Sequence, residues 1–269
     1  MGGRGASSGG SGGGAGGASG AGMGLGGAGG GLAGMQNVAN QAPNPQNTPV
    51  VPNASTALSQ MTDDQLTQLY TQSQRVDMPN HLKDVADDTQ RFVYMAGVNA
   101  KPQVLDQKSF DQYLKDNNIS RRDILSRSTN GASYTVNGTS INLSPTQVTD
   151  LIKYGDLNYI GGKHGGQAYG GGTYFDKNGG RNTGYAGGAT MIGVLNPATA
   201  KPIRRDILKN QTAQWVKSHP KFAQKVGGFS SRNMSIYALA QGYNVITSEY
   251  NNYHNVIDRS ALVMQSNNV

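Results

Sequence analysis

Nineteen of the chain's 39 glycines fall within residues 1–34, and between Arg4 and Asp63 there is no charged side chain. Such a stretch has almost no apolar surface to set against its ordering entropy, so it is expected to be a flexible, disordered glycine-rich arm. Residues 35–60, with Pro43, Pro45, Pro49 and Pro52 among Asn and Gln, read as an extended linker. Whatever folds must be built from roughly 200 residues after Asp63, enough for one sizeable core or two small ones. The expected organisation is an arm and linker over 1–60, a helical segment over 61–120 and a main domain over 121–269.

The periodicities predict a mixed α+β fold. Thr62 followed three residues on by Gln65 is a capping box, opening a helix that buries Leu66, Leu69 and Tyr70. A second helix is predicted from about Lys83 to Ala96, burying Val85, Phe92 and Met95, with Asp84, Asp87 and Asp88 in its first turn; Phe110, Tyr113 and Leu114 mark a third. The alternation of residues 132–136 and 139–143 around Asn137-Gly138 predicts a hairpin, because that pair suits the two positive φ angles of a type I′ turn. Ser144, Pro145 and Gln147 predict the start of another helix through Val148, Leu151 and Ile152. Ala189–Leu195 reads as a buried strand closed by Asn196-Pro197. A helix lined by Ile203, Ile207 and Trp215 is expected to stop before Pro220, and another over Ser231–Gln241 to end at Gly242. Strands at Val245-Ile246 and over Tyr253–Met264, the latter carrying Arg259 in its middle, complete the pattern. Short strands interleaved with helices at irregular spacing favour α+β over a doubly wound parallel sheet.

Charge is uneven. Residues 63–160 carry 10 basic and 12 acidic side chains, whereas residues 161–269 carry 12 basic and 4 acidic ones. A net of +8 in the second block attracts an anionic partner, phosphate groups first, so nucleic acid is a candidate partner; a solvated basic face is the plain alternative. The absence of cysteine excludes disulfides and cysteine-based zinc sites. No apolar run approaches the roughly 18 residues of a membrane-spanning helix, so the expectation is a soluble protein with no membrane partner.

Two features point at chemistry. The chain has one glutamate, Glu249, just ahead of the last predicted strands, so all other carboxylates are aspartates. Upstream, Gly161–Gly188 contains twelve glycines around YGGGTYFD at Tyr169–Asp176. Glycine at that density lets backbone approach a ligand closely, so Thr173-Tyr174-Phe175 reads as a short buried strand between binding loops.

Taken in order, Arg127 in ILSRSTNG, the GGTYF strand, the ATMIGVLNP strand and YNVITSEYNNYHNVIDRSALVM resemble the ADP-ribosyltransferase fold of bacterial toxins and poly-ADP-ribose polymerases, over about residues 75–269. The opening MGGRGASSGG looks like that of proteins encoded near phage head genes. The resemblance implies a split β-sandwich core preceded by helices, and NAD as substrate. It gives Arg127 the phosphate or ribose role and Tyr174 the nicotinamide platform, with Gly172 and Thr173 lending backbone contacts. Its paired acidic positions fall on Asn252 and His254, neither a carboxylate, which leaves Glu249 as the candidate catalytic acid, with Asn252 a cofactor contact. An oxocarbenium-like transition state needs such a carboxylate, and a guanidinium meets diphosphate bidentately. His164 in GGKHGG is a candidate substrate-loop residue, and Lys163, Lys177 and Arg181 are candidates for phosphate contact. The plain readings are an Arg127–Asp123 surface pair, a surface Glu249 without function, and Phe175 as a core residue facing away from Tyr174.

Two functions follow from the resemblance. One is an NAD-dependent, toxin-like mono-ADP-ribosyltransferase, phage-encoded, that modifies a protein acceptor in the host cytoplasm or the virion. The other is a non-enzymatic relative retained as a virion or capsid-associated protein.

Overall fold

In the computed structural model the described residues are 54–78, 87–98, 100–136, 139–155, 171–178, 188–248 and 252–266. They form a mixed α+β fold. The front end is helical: α1 (Ala54–Ser59), α2 (Asp63–Ser73) and α3 (Asp88–Met95). Thr62 and Gln65 make the expected reciprocal capping box on α2. Helix α1 lies inside the stretch expected to be an extended linker: Ser55 and Leu58 are buried, so the fold reaches further toward the arm than the Pro-rich composition suggests. For α3 the start is corrected from the predicted Lys83. Asp87 has extended backbone and its carboxylate accepts the Gln90 amide at 2.8 Å, so it caps the helix instead of lying within it. Residues 79–86, with Val85 and Asp84, lie outside the described set.

Next come β1 (Gln103–Leu105), α4 (Gln107–Asp116), β2 (Leu125–Thr129) and the hairpin β3 (Ala132–Val136) and β4 (Thr139–Leu143). The hairpin has the expected register, Val136 opposite Thr139, which leaves Asn137-Gly138 as the connection, outside the described residues. Helix α5 (Pro145–Lys153) starts on the predicted Ser144/Gln147 capping box with proline in its first turn. Strands β5 (Thr173–Lys177), β6 (Ala189–Leu195) and β7 (Pro202–Arg204) precede helices α6 (Arg205–Ser218), α7 (Pro220–Val226) and α8 (Met234–Ala240). Strands β8 (Val245–Thr247), β9 (Tyr253–Val256) and β10 (Leu262–Gln265) end the described fold.

Three further elements differ from the prediction. Ile203 is not a helix residue: it sits buried in β7, paired with Ile246, and α6 begins two residues later with Ile207 left 41% exposed. The stripe α6 buries is Leu208 and Thr212, not one through Ile203 and Ile207. The single strand expected over Tyr253–Met264 is two strands separated by a 3₁₀ turn at Arg259–Ala261. Helix α8 also starts later than Ser231, at Met234, while Gly242 sits at its C′ position with φ +90°, as the sequence predicts.

Eight strands pair as one mixed sheet in the order β1-β10-β6-β2-β5-β9-β8-β7, with only the two outermost pairs parallel. Leu125, Met191, Leu262 and Met264 from one half share an apolar cluster with Phe175, Val245 and Val256 from the other, so the sheet curls around that cluster. The back of the β10-β6 half is covered by Phe110 and Leu114 of α4, packed on Val194 and Val263. The back of the β9-β8 half carries Ile246 and packs on the front helices and α6–α8 through Tyr70, Phe92, Phe222 and Tyr237. Asp63 closes that packing by accepting the amides of Lys221 (3.0 Å) and Phe222 (2.8 Å) at the start of α7. The front helices and residues 203–257 therefore share one core.

Two buried polar groups fix the crossings. The Asn244 side chain accepts the Lys201 amide at 2.7 Å and donates to the Thr199 carbonyl at 2.9 Å, tying the β6–β7 connection to β8. Arg259 is fully buried, and its Nη1 donates to the carbonyls of Leu151 (3.3 Å), Ile152 (2.7 Å) and Gly155 (2.9 Å). These carbonyls lie in and just beyond the last turn of α5, where a helix leaves acceptors over; Leu151 O also takes the Gly155 amide at 3.1 Å, and a cation there suits the helix dipole.

Candidate functional site

The site is built where the two halves of the sheet part. Strand β2 pairs with β6 along its whole length, Leu125 to Thr129, but with β5 only at Leu125↔Lys177 and Ser126↔Asp176. Strand β5 meanwhile follows β9 from Thr173↔Val256 to Asp176↔Tyr253. Beyond Ser126 the ladder between β2 and β5 stops, and Arg127 stands at that opening. Its Nη1 donates to the Tyr174 carbonyl at 3.1 Å, so a guanidinium meets an acceptor that a strand amide would otherwise take.

Alternation along β5 separates the two aromatic rings as expected: Phe175 is buried in the apolar cluster, whereas Tyr174 points to the other face and is half-buried. Asp176 shares the Tyr174 face. Burial lifts its carboxyl above the ordinary carboxylate range, and the Arg127 charge offsets part of that rise. Asp176 was not among the residues singled out from sequence; its position beside Arg127 follows from the two-residue β2–β5 ladder, which no local pattern shows. Ser126 donates to Asn178 Oδ1 at 2.9 Å, and the Ser128 and Thr190 hydroxyls are 2.9 Å apart, so the β2 side of the opening is lined with hydroxyls.

The start of β5 is held rigidly. Gly172 has φ +153°, and a Cβ at that position would lie 2.0 Å from Asn255 Oδ1. Asn255 is itself fully buried, with Nδ2 donating to Gly171 O at 3.4 Å and to Ser235 Oγ at 3.3 Å, while Ser235 Oγ donates to Gly171 O at 2.6 Å. Thr173 is buried opposite Val256. Gly172 thus permits the close approach that seats β5 on β9 and α8.

At the other end of β5, the Lys177 amide donates to Asn252 O at 2.7 Å and its ammonium pairs with Asp123 at 2.6 Å. Asp123 thus takes Lys177, the residue opposite Leu125, and not the Arg127 partner that chain proximity suggested. Asn252 is exposed at the start of β9, and His254 lies opposite Phe175. Burial pushes the His254 imidazole below its ordinary pKa, so it is held neutral at neutral pH.

Of the residues named from sequence, the structure therefore brings the Arg127 side chain to the Tyr174 main chain, sets Gly172 and Thr173 immediately before Tyr174, and places His254 on the neighbouring strand with Asn252 just ahead of it. Glu249, His164, Lys163 and Arg181 lie outside the described residues. On either side of residues 249–251, the Ser248 amide donates to Tyr253 O at 3.2 Å, next to the Asp176–Lys177 end of β5. Among the described residues there is no group of three side chains suited to a metal ion, and no helix long and apolar enough to cross a membrane.

No family model, curated protein or solved structure matches this chain.

Proposed function

We propose that this chain binds NAD at the opening between β2 and β5 and transfers its ADP-ribose to a protein acceptor, on an ADP-ribosyltransferase-like split sandwich. The observation that carries the reading is the Arg127–Tyr174 contact across the parted strands, with the Asp176 carboxyl beside it. A fixed guanidinium suits a diphosphate, and a half-buried tyrosine face suits a pyridinium ring. In the reaction the bond between nicotinamide nitrogen and ribose C1′ breaks, nicotinamide leaves as a neutral base, and an acceptor nucleophile bonds to C1′ and loses its proton. Positive charge grows on the ribose, and a carboxylate stabilises it. Glu249 is the assigned group because it is the chain's one glutamate and the described Ser248 before it lies beside the Asp176 end of β5.

Turnover of NAD labelled in the adenylate moiety, followed as released nicotinamide and as labelled protein, tests this. The full chain is expected to consume NAD, and Glu249→Gln and Arg127→Ala are each expected to slow it by about 10²-fold. No turnover above the Arg127→Ala background counts against the enzyme.

A second reading is favoured by one feature: the start of β9 presents Asn252 and His254 where the resemblance calls for carboxylates. On that reading the fold serves as a virion or capsid-associated binding protein in a phage particle. Co-sedimentation with assembled heads together with failure to bind NAD supports it over the enzyme.

A further inference from the structure

Residues 201–232, which run from β7 through α6 and α7 to the start of α8, hold eight basic side chains, Lys201, Arg204, Arg205, Lys209, Lys217, Lys221, Lys225 and Arg232, against the single acid Asp206. All eight are exposed. Asp206 is taken by Arg204, which donates to both of its carboxylate oxygens at 3.1 and 2.6 Å, and Asp64 of α2 pairs with Lys221 at 2.7 Å. The segment still keeps a strong positive excess. On α6 the residues Arg205, Lys209 and Lys217 fall within an arc of about 120° and span about 18 Å of helix, to one side of the buried Leu208–Thr212 stripe.

We propose that this α6–α7 face binds the phosphate backbone of double-stranded nucleic acid without reading its sequence. Three observations select that partner. First, the exposed positions of α6 bordering that arc carry Asn210 and Gln214, side chains that bond to phosphate and sugar, and the helix holds no carboxylate besides Asp206. Second, the face offers no apolar anchor: Ile207 is its one exposed large hydrophobic residue, and a specific protein interface is built around a buried aromatic or aliphatic centre. Third, single strands need exposed stacking rings, whereas Trp215 is stacked on His219 at 3.8 Å and set edge-on to Phe222 and Tyr237. Repeated charge over a long, polar, ring-poor surface matches a polyanion of regular spacing. This face involves neither Arg127 nor Tyr174, so it stands or falls independently of NAD.

The test is fluorescence anisotropy of a labelled random-sequence 20-base-pair DNA duplex with the full chain across a salt series, roughly the length that three to six phosphate contacts require. Binding is expected to weaken linearly in log salt, and the triple variant Lys209→Gln/Lys217→Gln/Lys225→Gln is expected to lower the slope by about three, one per lysine. The matched triple Lys101→Gln/Lys108→Gln/Lys115→Gln, at or near α4, is expected to leave the slope unchanged. No salt-dependent binding, or equal losses in the two triples, overturns the proposal. Displacement of the duplex by polyglutamate at equal charge concentration overturns it in favour of an acidic protein partner.

Discussion

Replacing Arg259 by alanine is expected to remove about 4 kcal/mol of stability, read as a lower urea midpoint at unchanged slope. The side chain is fully buried, and its Nη1 serves three carbonyls at the end of α5. Without it the Ile152 and Gly155 carbonyls lose this donor, at about 1–3 kcal/mol each, while Leu151 O keeps the Gly155 amide, and a cavity the size of a long side chain opens beside them. The whole stability of a domain is only about 5–15 kcal/mol, so the variant is expected to be marginal at 37 °C. Arg259→Lys keeps the charge but loses the planar fork, and is expected to fall between the two. The deficit also depends on pH. Burial raises the neighbouring Asp258 carboxyl above its ordinary value, and Arg259 offsets part of that rise. In the alanine variant the folded-state pKa climbs further, while the unfolded value does not change. The folded state then holds more protons than the unfolded state between those two values, so stability falls as pH rises through that window. The loss is therefore larger at pH 7 than at pH 4.

Gly172→Ala is expected to cost roughly 3–5 kcal/mol and, on the proposed function, to abolish NAD consumption with it. The added Cβ would stand 2.0 Å from Asn255 Oδ1 and 2.9 Å from Val256 O, at a φ of +153° that a side chain rarely adopts. Asn255 cannot swing away freely, because it is buried and bonded to Gly171 and Ser235. Strand β5 must shift instead, and Tyr174 shifts with it, away from the Arg127 donor. Pairing the change with Asn255→Ala removes the closest contact but not the backbone strain or the Val256 carbonyl. The double variant is expected to recover about 1–2 kcal/mol relative to the sum of the singles, measured by a double-mutant cycle.

What could be read from the sequence was local. Both capping boxes, the register of the Asn137-Gly138 hairpin, Gly242 beyond α8 and the opposite facing of Tyr174 and Phe175 depend on residues within a few positions of one another. What escaped depends on distant partners. Arg259 looks like a strand residue until the end of α5, more than 100 residues earlier, arrives to use its guanidinium. Ile203 fits a helical stripe until Val245–Thr247 offers it a parallel strand. Helix α1 exists because Ser55 and Leu58 find buried places against later elements, which composition alone does not show. In the candidate site the same division holds. The strand position and facing of Tyr174 are legible from its own motif, whereas the Arg127 contact, the Asp176 neighbour and the Lys177–Asp123 pair follow from how far the β2–β5 ladder extends.

The chemistry proposed here rests on a pyridine dinucleotide lying across Arg127 and Tyr174. The direct measurement is calorimetric titration of a non-hydrolysable carba analogue of NAD into the full chain, Arg127→Ala and Tyr174→Ala, each checked for an unchanged thermal midpoint. Saturable binding by the unaltered chain, weakened about tenfold or more in each variant, is the predicted result. Absence of binding, or equal affinity in all three proteins, contradicts it.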